Sequence, residues 1–544
     1  MENQKSCNTV ILYSNDVHCA AEGFAKLAAY RCQMEEAGHD VILADAGDAI
    51  QGEAIGALTK GKAIVQIMNA VGYDAAVPGN HEFDYGLDVF LQLAEYEAEF
   101  PYLSANFTDL KNNSRIFAPY RIMTGGSRKI ALIGICTPET YTKSTPGYFK
   151  DCDGAYRYTF CEEKLYDVVQ QAVNDVREAG AQTVVVLGHL GIEGITEGWR
   201  SVDVIANTAG IDVFIDGHSH QRIPFIRQRD KEDRDVLLTS AGENLDHFGK
   251  IIIRHDGSAV SELICAESVD PAESKQALAA YNAVKRITER YLKVTSGLDE
   301  VTGFSEVSLV AYDICTGDRV VRNCETNLGD FVADAYRACS CADVALVNGG
   351  RIRASIRAGI VTRRHMSEVN PWNNEMCVIR ISGQQVLDAL EHGARMNPGE
   401  CGGFLQSSGL TYEIDLQIRE SPVVTDEKDM FLYVDSRKSR RVKNVRINGR
   451  KIEPDKMYTV VGSCYMLLDA GDGFTMFAGA KVLQREELPS DTEMLVSYLK
   501  RNLRGSIPKD RYQNIFGSGR IIFRGRESGY EMQAARGTAA AYYG

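Results

Sequence analysis

Two aspartates, an asparagine and four histidines carry the chemistry of the first 220 residues. They fall in five short motifs: Asp16-Val17-His18, Asp45-Ala46-Gly47-Asp48, Asn80-His81-Glu82-Phe83-Asp84, Gly188-His189-Leu190 and Gly217-His218-Ser219-His220. Two carboxylates (Asp16, Asp48), an amide (Asn80) and four imidazoles (His18, His189, His218, His220) suit two divalent ions that share a bridging carboxylate. Such a pair hydrolyses phosphate esters. A neutral Asn is useful where a second ion must keep positive charge. His81 and Asp84 remain as a pair, close enough in sequence for the carboxylate to hold the imidazole. The chain has 10 histidines. Those outside the motifs, His39, His247, His255, His365 and His392, read as structural or exposed.

No motif offers a Ser or Cys nucleophile, and this chemistry needs none. Water activated by such ions would attack phosphorus in line with the ester oxygen. His81, oriented by Asp84, is then expected to stabilise the transition state or protonate the leaving oxygen.

These side chains need a scaffold that brings distant segments together. Apolar, β-branched runs recur at 9–14, 41–44, 75–77, 130–136, 183–187, 213–215 and 236–239, with helix-like stretches such as 23–37 and 165–179 between them. Strands alternating with helices read as a layered α/β domain. Every metal motif begins where one of the apolar runs stops. In α/β sheets ligands bind beyond the carboxyl ends of strands, so the five motifs are expected to converge on one edge.

At 544 residues the chain is too long for one ordinary core. The first domain is expected over residues 1–268 and a helical linker over 269–299. A second mixed domain follows over 300–525, with helices at 328–338 and 384–394 and a strand at 344–347. Asp270-Pro271 reads as the start of the linker helix, with Asp at the N-cap and Pro in the first turn. Leu278, Tyr281, Val284, Ile287 and Tyr291 form one stripe along it. Residues 526–544, rich in Gly, Ala and polar groups, read as a flexible tail.

The formal net charge is −14, which argues against a nucleic-acid polymer as partner because such binding needs a basic footprint. A small anionic substrate remains compatible, because bound cations dominate the field of their own site. No apolar run reaches the length that crosses a membrane. The 14 cysteines are scattered without a framework, which points to reduced thiols and a cytoplasmic setting. A signal peptide removed ahead of this sequence would instead place the protein in the periplasm or outside the cell.

The ordered motifs resemble the calcineurin-like metallophosphoesterases, and their wording is similar to the 5′-nucleotidase family, which includes UDP-sugar hydrolases and 2′,3′-cyclic phosphodiesterases. The resemblance runs over about residues 8–525. It extends into the second half at 326–335, Asn348-Gly349-Gly350-Arg351-Ile352-Arg353, Gly403-Phe404-Leu405-Gln406 and Gly471-Asp472-Gly473-Phe474. It implies a four-layer α/β/β/α N-terminal domain and a C-terminal α/β substrate-binding domain, joined by the helical linker. It further implies that Asp16, His18, Asp48 and His220 hold one ion. Asp48, Asn80, His189 and His218 hold the other, with Asp48 as the bridge. Donors of N and O only fit Zn²⁺, Mn²⁺ or Co²⁺ and disfavour Ca²⁺. Cys19 stands where the family has glycine, either as a tolerated small residue or as a thiol that tightens zinc.

The second domain would select the substrate. Arg351 and Arg353 follow a Gly-Gly turn, and the arginine fork suits phosphate or carboxylate; the resemblance favours Arg353. It also implies that Phe404 stacks on a nucleobase and that Asp472 contacts sugar hydroxyls. The second stacking aromatic of the family falls on Met466, with Tyr465 beside it, so either Tyr465 stacks after a one-residue shift or a thioether packs on the base. In the family the C-terminal domain rotates to bring substrate to the ions. The expected activity is release of phosphate from nucleoside 5′-monophosphates. UDP-sugar hydrolysis and combined 2′,3′-cyclic phosphodiesterase/3′-nucleotidase activity share the same metal site. Outside that class stand a thiosulfohydrolase and a non-catalytic surface or binding protein, the latter predicting decayed ligands where none is missing. The motifs leave the oligomeric state unspecified.

Overall fold

The computed structural model describes residues 8–126, 128–151, 153–192, 196–313 and 316–525. The tail expected over 526–544 lies outside the described residues. The chain divides into two compact units, 1–296 and 297–544.

The N-terminal unit stacks two sheets between two helical layers. The first sheet runs, in spatial order, Ala259–Cys265, His247–Ile253, Thr9–Ser14, Asp40–Asp45 and Ala75–Ala76. The second runs Arg222–Arg229, Asp235–Ala241, Val213–Asp216, Thr183–His189, Arg128–Cys136 and Tyr120–Gly125. Period-two alternation shows why the second sheet lies between layers. Val185, Leu187, Val213 and Ile215 join the core shared with the first sheet. Val184, Val186 and Phe214 turn the other way, onto Leu165, Val169 and Val173 of the helix Leu165–Glu178. The outer face of the first sheet is covered by the helices Gly23–Glu36 and Lys62–Val71. The layers are therefore α/β/β/α. Tyr13 and Thr239 join the two sheets through a buried hydroxyl–hydroxyl bond of 2.6 Å.

The helix expected as a linker packs into the N-terminal unit. Asp270 accepts a bond from Ala272 N and caps only the short turn Pro271–Glu273. Ser274 is the cap of the long helix Lys275–Leu292, accepting from Ala277 N. Pro271 is thus outside the long helix rather than in its first turn. Ala277 and Val284 are buried in the main core, with Tyr281, Ile287 and Tyr291 packed against it, while Leu278 faces solvent.

In the C-terminal unit a five-stranded sheet runs Leu405–Ser408, Val344–Asn348, Met457–Ser463, Met376–Ser382 and Lys481–Gln484. The helix Asn327–Ser340, capped by Thr326, buries Leu328, Phe331, Val332 and Ala335. The helix Gly383–Gly393 opens with a capping box of Ser382 and Gln385. A four-stranded sheet, Arg450–Lys451, Val442–Ile447, Leu410–Asp415 and Ile521–Arg524, completes the framework. No helix among the described residues is long and apolar enough to cross a membrane.

Gly249 sits opposite Tyr13 on the neighbouring strand, and a Cβ there would lie 1.8 Å from the tyrosine ring. Gly249→Ala is expected to destabilise the N-terminal unit by about 1–3 kcal/mol through overpacking. Denaturant unfolding checks this; an unchanged midpoint would mean the ring is not seated on that glycine.

Candidate functional site

Strand direction brings the five motifs to one edge. Thr9–Ser14, Asp40–Asp45 and Ala75–Ala76 run parallel in the first sheet, and Thr183–His189 and Val213–Asp216 run parallel in the second. Each motif lies at or just beyond the carboxyl end of its strand. Main-chain bonds then knit the loops together. Asp16 N donates to Gly47 O (2.9 Å), His18 N to Asp48 O (3.0 Å) and Asn244 N to Asp16 O (2.9 Å). Across the two sheets, His218 N donates to both Asp16 carboxylate oxygens at 3.0 Å. Five of the candidate ligands hold left-handed backbone: Asp16 (φ 50°), His18 (47°), Asp48 (59°), His218 (78°) and His220 (57°). Non-glycine residues adopt this region rarely, and it clusters where structure over-determines a site.

The hydrogen bond at one ring nitrogen fixes the tautomer and leaves a lone pair on the other. His189 Nδ1 donates to Ala46 O at 2.7 Å and His18 Nδ1 to Gln51 O at 3.0 Å, so both Nε2 atoms carry lone pairs. His220 Nδ1 donates to the Glu243 carboxylate, again leaving Nε2. His218 is reversed: Nε2 donates to Glu139 Oε2 at 2.9 Å, leaving Nδ1. Two groups form, Asp16 with His18 and His220, and Asp48 with His189 and His218. Within each, the ligand atoms lie within 4.8 Å of one another. His18 Nε2 and His220 Nε2 stand 3.1 Å apart, and two lone pairs meet so closely only around a shared proton or cation. Asn80 Oδ1 is buried and accepts no hydrogen bond among the described residues, and His189 Nε2 stands 3.1 Å from Asp48 Oδ2. This donor set fits divalent ions.

The electrostatics agree. Burial, with the Asp48 charge adding and the His189 imidazole opposing, pushes Asp16 up to about 8. Asp48 is also fully buried, but the imidazoles of His189 and His81 outweigh burial and hold it well below the usual carboxylate range. Packed buried carboxylates and imidazoles of this kind are balanced by cations. Cys19 joins neither ligand group. Its sulfur lies against Gly56, 2.4 Å from where a Cβ there would be, and burial raises its thiol far above the ordinary value.

His81 lies beside the groups. Its Nδ1 is 2.6 Å from Asp84 Oδ2, Ser144 Oγ donates to Asp84 Oδ1 at 3.1 Å, and Nε2 is 4.0 Å from Asp48 Oδ2. Three carboxylates near the ligands had no role assigned from sequence. Glu82, inside the third motif, accepts from Gly79 N (2.6 Å), Asp48 N (2.9 Å) and Ala49 N (2.8 Å), locking two ligand loops together. Glu139 and Glu243 orient His218 and His220. Glu139 is itself held by Thr196, whose N–H and hydroxyl donate to Oε1 at 2.9 and 2.8 Å. A solitary Glu outside any motif gives no sequence signal; only the fold shows what it faces.

In the C-terminal unit three of the quoted segments converge. Gly349 N donates to Phe404 O (2.7 Å) and Gly350 N to Gly402 O (2.8 Å). Asn348 Nδ2 donates to Asp472 Oδ2 at 2.5 Å. The three residues named for stacking, Phe404, Tyr465 and Met466, are placed differently from one another. Phe404 is 0% exposed within the apolar core, so its ring offers no open face. Tyr465 is engaged by Arg351, whose guanidinium lies 4.7 Å from its ring centroid and 4.7 Å from that of Trp372. Met466, the other candidate, is fully buried. Arg353 also lies over Trp372, at 5.5 Å. Arg322 was not singled out from sequence. Burial and the guanidiniums of Arg319 and Arg353 push its pKa down to about 9, and its buried Nε has no partner among the described residues.

The calcineurin-like phosphoesterase family matches residues 9–222, and the 5′-nucleotidase C-terminal domain matches residues 301–479. The trifunctional nucleotide phosphoesterase protein YfkN of Bacillus subtilis (strain 168) is 27% identical over 86% of this chain. The chain spans 32% of the length of that relative. A 5′-nucleotidase of Vibrio cholerae is 26% identical over 96% of this chain and 95% of its own. Among solved structures, a 5′-nucleotidase precursor from Thermus thermophilus superposes with a TM-score of 0.77 at 24% identity, covering 95% of this chain and 100% of that one. That likeness is one of fold.

Glu139→Gln keeps the shape but weakens the acceptor for His218. Retention of divalent ions is expected to fall about 10–100-fold, read as metal content after dialysis against graded chelator. Unaltered retention would remove Glu139 as an orienting group.

Proposed function

Because the chain belongs to the calcineurin-like phosphoesterases that carry a 5′-nucleotidase C-terminal domain, and so to the phosphoester hydrolases, we propose that it hydrolyses nucleotide phosphate esters with two divalent ions, releasing phosphate from nucleoside 5′-monophosphates. One observation carries the reading. Four imidazoles, each with one nitrogen bonded away, bring the other nitrogen to Asp16 or Asp48.

In this reading Asp16, His18, Asp48 and His220 hold one ion. Asp48, Asn80, His189 and His218 hold the other, and Asp48 bridges. Zn²⁺, Mn²⁺ and Co²⁺ fit donors of N and O. When bound, such a pair supplies Lewis acidity to the phosphoryl oxygens and ionises the attacking water. The chain's own groups do the rest. Asp84 accepts the Nδ1 proton of His81 and so directs Nε2 outward. With Nε2 protonated as well, His81 would give that second proton to the leaving ester oxygen or steady the charge developing on it. Arg319, Arg322 and Arg353 form a like-charge cluster with Glu400 as its nearby acid. A phosphate among them would relieve both the repulsion and the unpaired Arg322 Nε. Arg351, stacked between two rings, adds a fixed fork beside that cluster. Asp472 and Asn348 present polar groups suited to sugar hydroxyls. Phe404, as seated, would support such a pocket from behind. The described cysteines are all free thiols, which supports a reducing, cytoplasmic setting.

Phosphate release is measured with AMP, UMP, 3′-AMP, 2′,3′-cyclic AMP, UDP-glucose and ATP, after EDTA and after Mn²⁺ or Zn²⁺ is restored. Highest kcat/KM on a 5′-monophosphate, abolished by EDTA and regained with metal, is expected. Full turnover in the stripped protein would refute the two-ion reading. His81→Ala should leave bound metal unchanged and lower kcat by roughly 10²–10⁴; normal turnover in that variant would take the role from His81.

A further inference from the structure

The C-terminal unit holds a second basic cavity, separate from the loops described above. Gly349 and Gly350 follow the carboxyl end of the strand Val344–Asn348. At the other end of the same strand Ala345 pairs with Ser408, and there Ser408 and Gly409 line a cavity of about 330 Å³. Asn348 and Ala345 are three residues apart, about 10 Å along a strand. Four arginines line this cavity, Arg337, Arg446, Arg511 and Arg520, against one acid, Asp334.

Asp334 has little capacity left for neutralising them. Its carboxylate already accepts from Ser408 Oγ (2.7 Å), Arg511 Nη2 (2.6 Å), Tyr512 Oη (2.9 Å) and Arg520 Nη2 (3.0 Å). Arg520 is consumed as well, giving Nη1 to Ser407 O at 2.7 Å and pairing through Nε with Asp330 at 3.3 Å. Against Asp334 and Asp330 the four guanidiniums leave an excess of two positive charges, and two of the other three arginines are held rigidly. Arg337 gives Nε to the Asp343 carbonyl (3.2 Å) and Nη2 to Asn448 Oδ1 (2.6 Å). Arg511 lies over the rings of Tyr498 and Tyr512, at 5.9 and 5.3 Å. Arg446 is exposed and makes one bond, Nη1 to Gly449 O at 3.3 Å. A second cavity of about 470 Å³ adjoins, sharing Asp334, Arg337, Ser408 and Arg511 and adding Ala338, Ala342 and Tyr498.

We propose that this cavity is a second anion site, binding the phosphoryl group of a small molecule between Arg337, Arg446 and Arg511, with any organic portion lying over the adjoining apolar wall. Oriented guanidiniums with fixed planes suit phosphate oxygens, and the two volumes fall in the range of small-molecule sites. The site does not depend on the metal centre. Its occupant is a phosphate-bearing molecule of the kind the hydrolytic reaction consumes or the phosphate that it releases.

Calorimetric titration of the full, metal-loaded chain with inorganic phosphate, and separately with phenylphosphonate, tests the site. Arg446→Ala is the diagnostic variant, because its side chain is exposed and carries no folding contact beyond one carbonyl. Arg353→Ala marks the other cluster. An event sensitive to Arg446→Ala and distinct from the one sensitive to Arg353→Ala is expected in the wild type. Arg446→Ala should weaken one about tenfold or more and leave phosphate release from AMP unchanged, whereas Arg353→Ala should affect only the other event. Tighter binding of phenylphosphonate than phosphate at the Arg446 site assigns it to an organic phosphate; equal or weaker binding assigns it to free phosphate. A single event in the wild type, binding unchanged by Arg446→Ala, or both events lost together in that variant would overturn the second site. The binding outcomes do not depend on whether AMP is hydrolysed.

Discussion

The hydrogen bonds that His218 N–H gives to the Asp16 carboxylate hold the N-terminal unit's candidate centre in register. Asp16 leaves the first sheet and His218 leaves the second, so this contact fixes one sheet edge against the other at the point where the ligands meet. Around it, Asp16 N–H reaches Gly47 and Asp16 C=O receives Asn244, and Glu82 ties the Asp48 loop to Gly79. Each imidazole then spends one nitrogen on a carbonyl or carboxylate and presents the other. A set of donors built this way is oriented before any ion arrives, and orientation is what a two-ion hydrolytic site needs from its protein.

Much of this was legible because apolar strands and their terminal motifs obey short-range rules. The runs at 9–14, 183–187 and 213–215 are β-branched and bounded by Gly or polar residues, and they became the strands Thr9–Ser14, Thr183–His189 and Val213–Asp216. The five motifs could be read as one site since parallel strands deliver their carboxyl ends to a common edge. What escaped was set by tertiary packing. Glu139 and Glu243 belong to no pattern, and only folding places them against His218 and His220. Ser274 displaced Asp270 as the cap because a second local turn, Pro271–Glu273, intervenes. Arg322 precedes the Gly-Gly turn by many residues in sequence, so its packing against Gly349 and its meeting with Arg353 are set by the fold, whereas Arg319 is its neighbour at the cap of one short turn.

The C-terminal unit obeys a different logic. Its quoted segments are held together by backbone bonds among glycines, Gly349 to Phe404 and Gly350 to Gly402, which fix where a ligand would lie without fixing which one. The side chains around that frame depart from the family resemblance: Met466 in place of an aromatic, Arg351 between Trp372 and Tyr465, Phe404 sealed in the core. The ring of Tyr465, one of the two aromatics named for stacking, lies against the Arg351 guanidinium, and a guanidinium and a nucleobase are both flat and suited to the same stacking surface.

The left-handed backbone of Asp16, His18, Asp48, His218 and His220 has an evolutionary corollary. At such positions a mutation must satisfy two unrelated demands at once: a donor atom for the ion and a conformation few side chains tolerate. Glycine meets only the second, and most other residues meet neither. A substitution at any of these positions is therefore opposed twice, once by chemistry and once by backbone conformation.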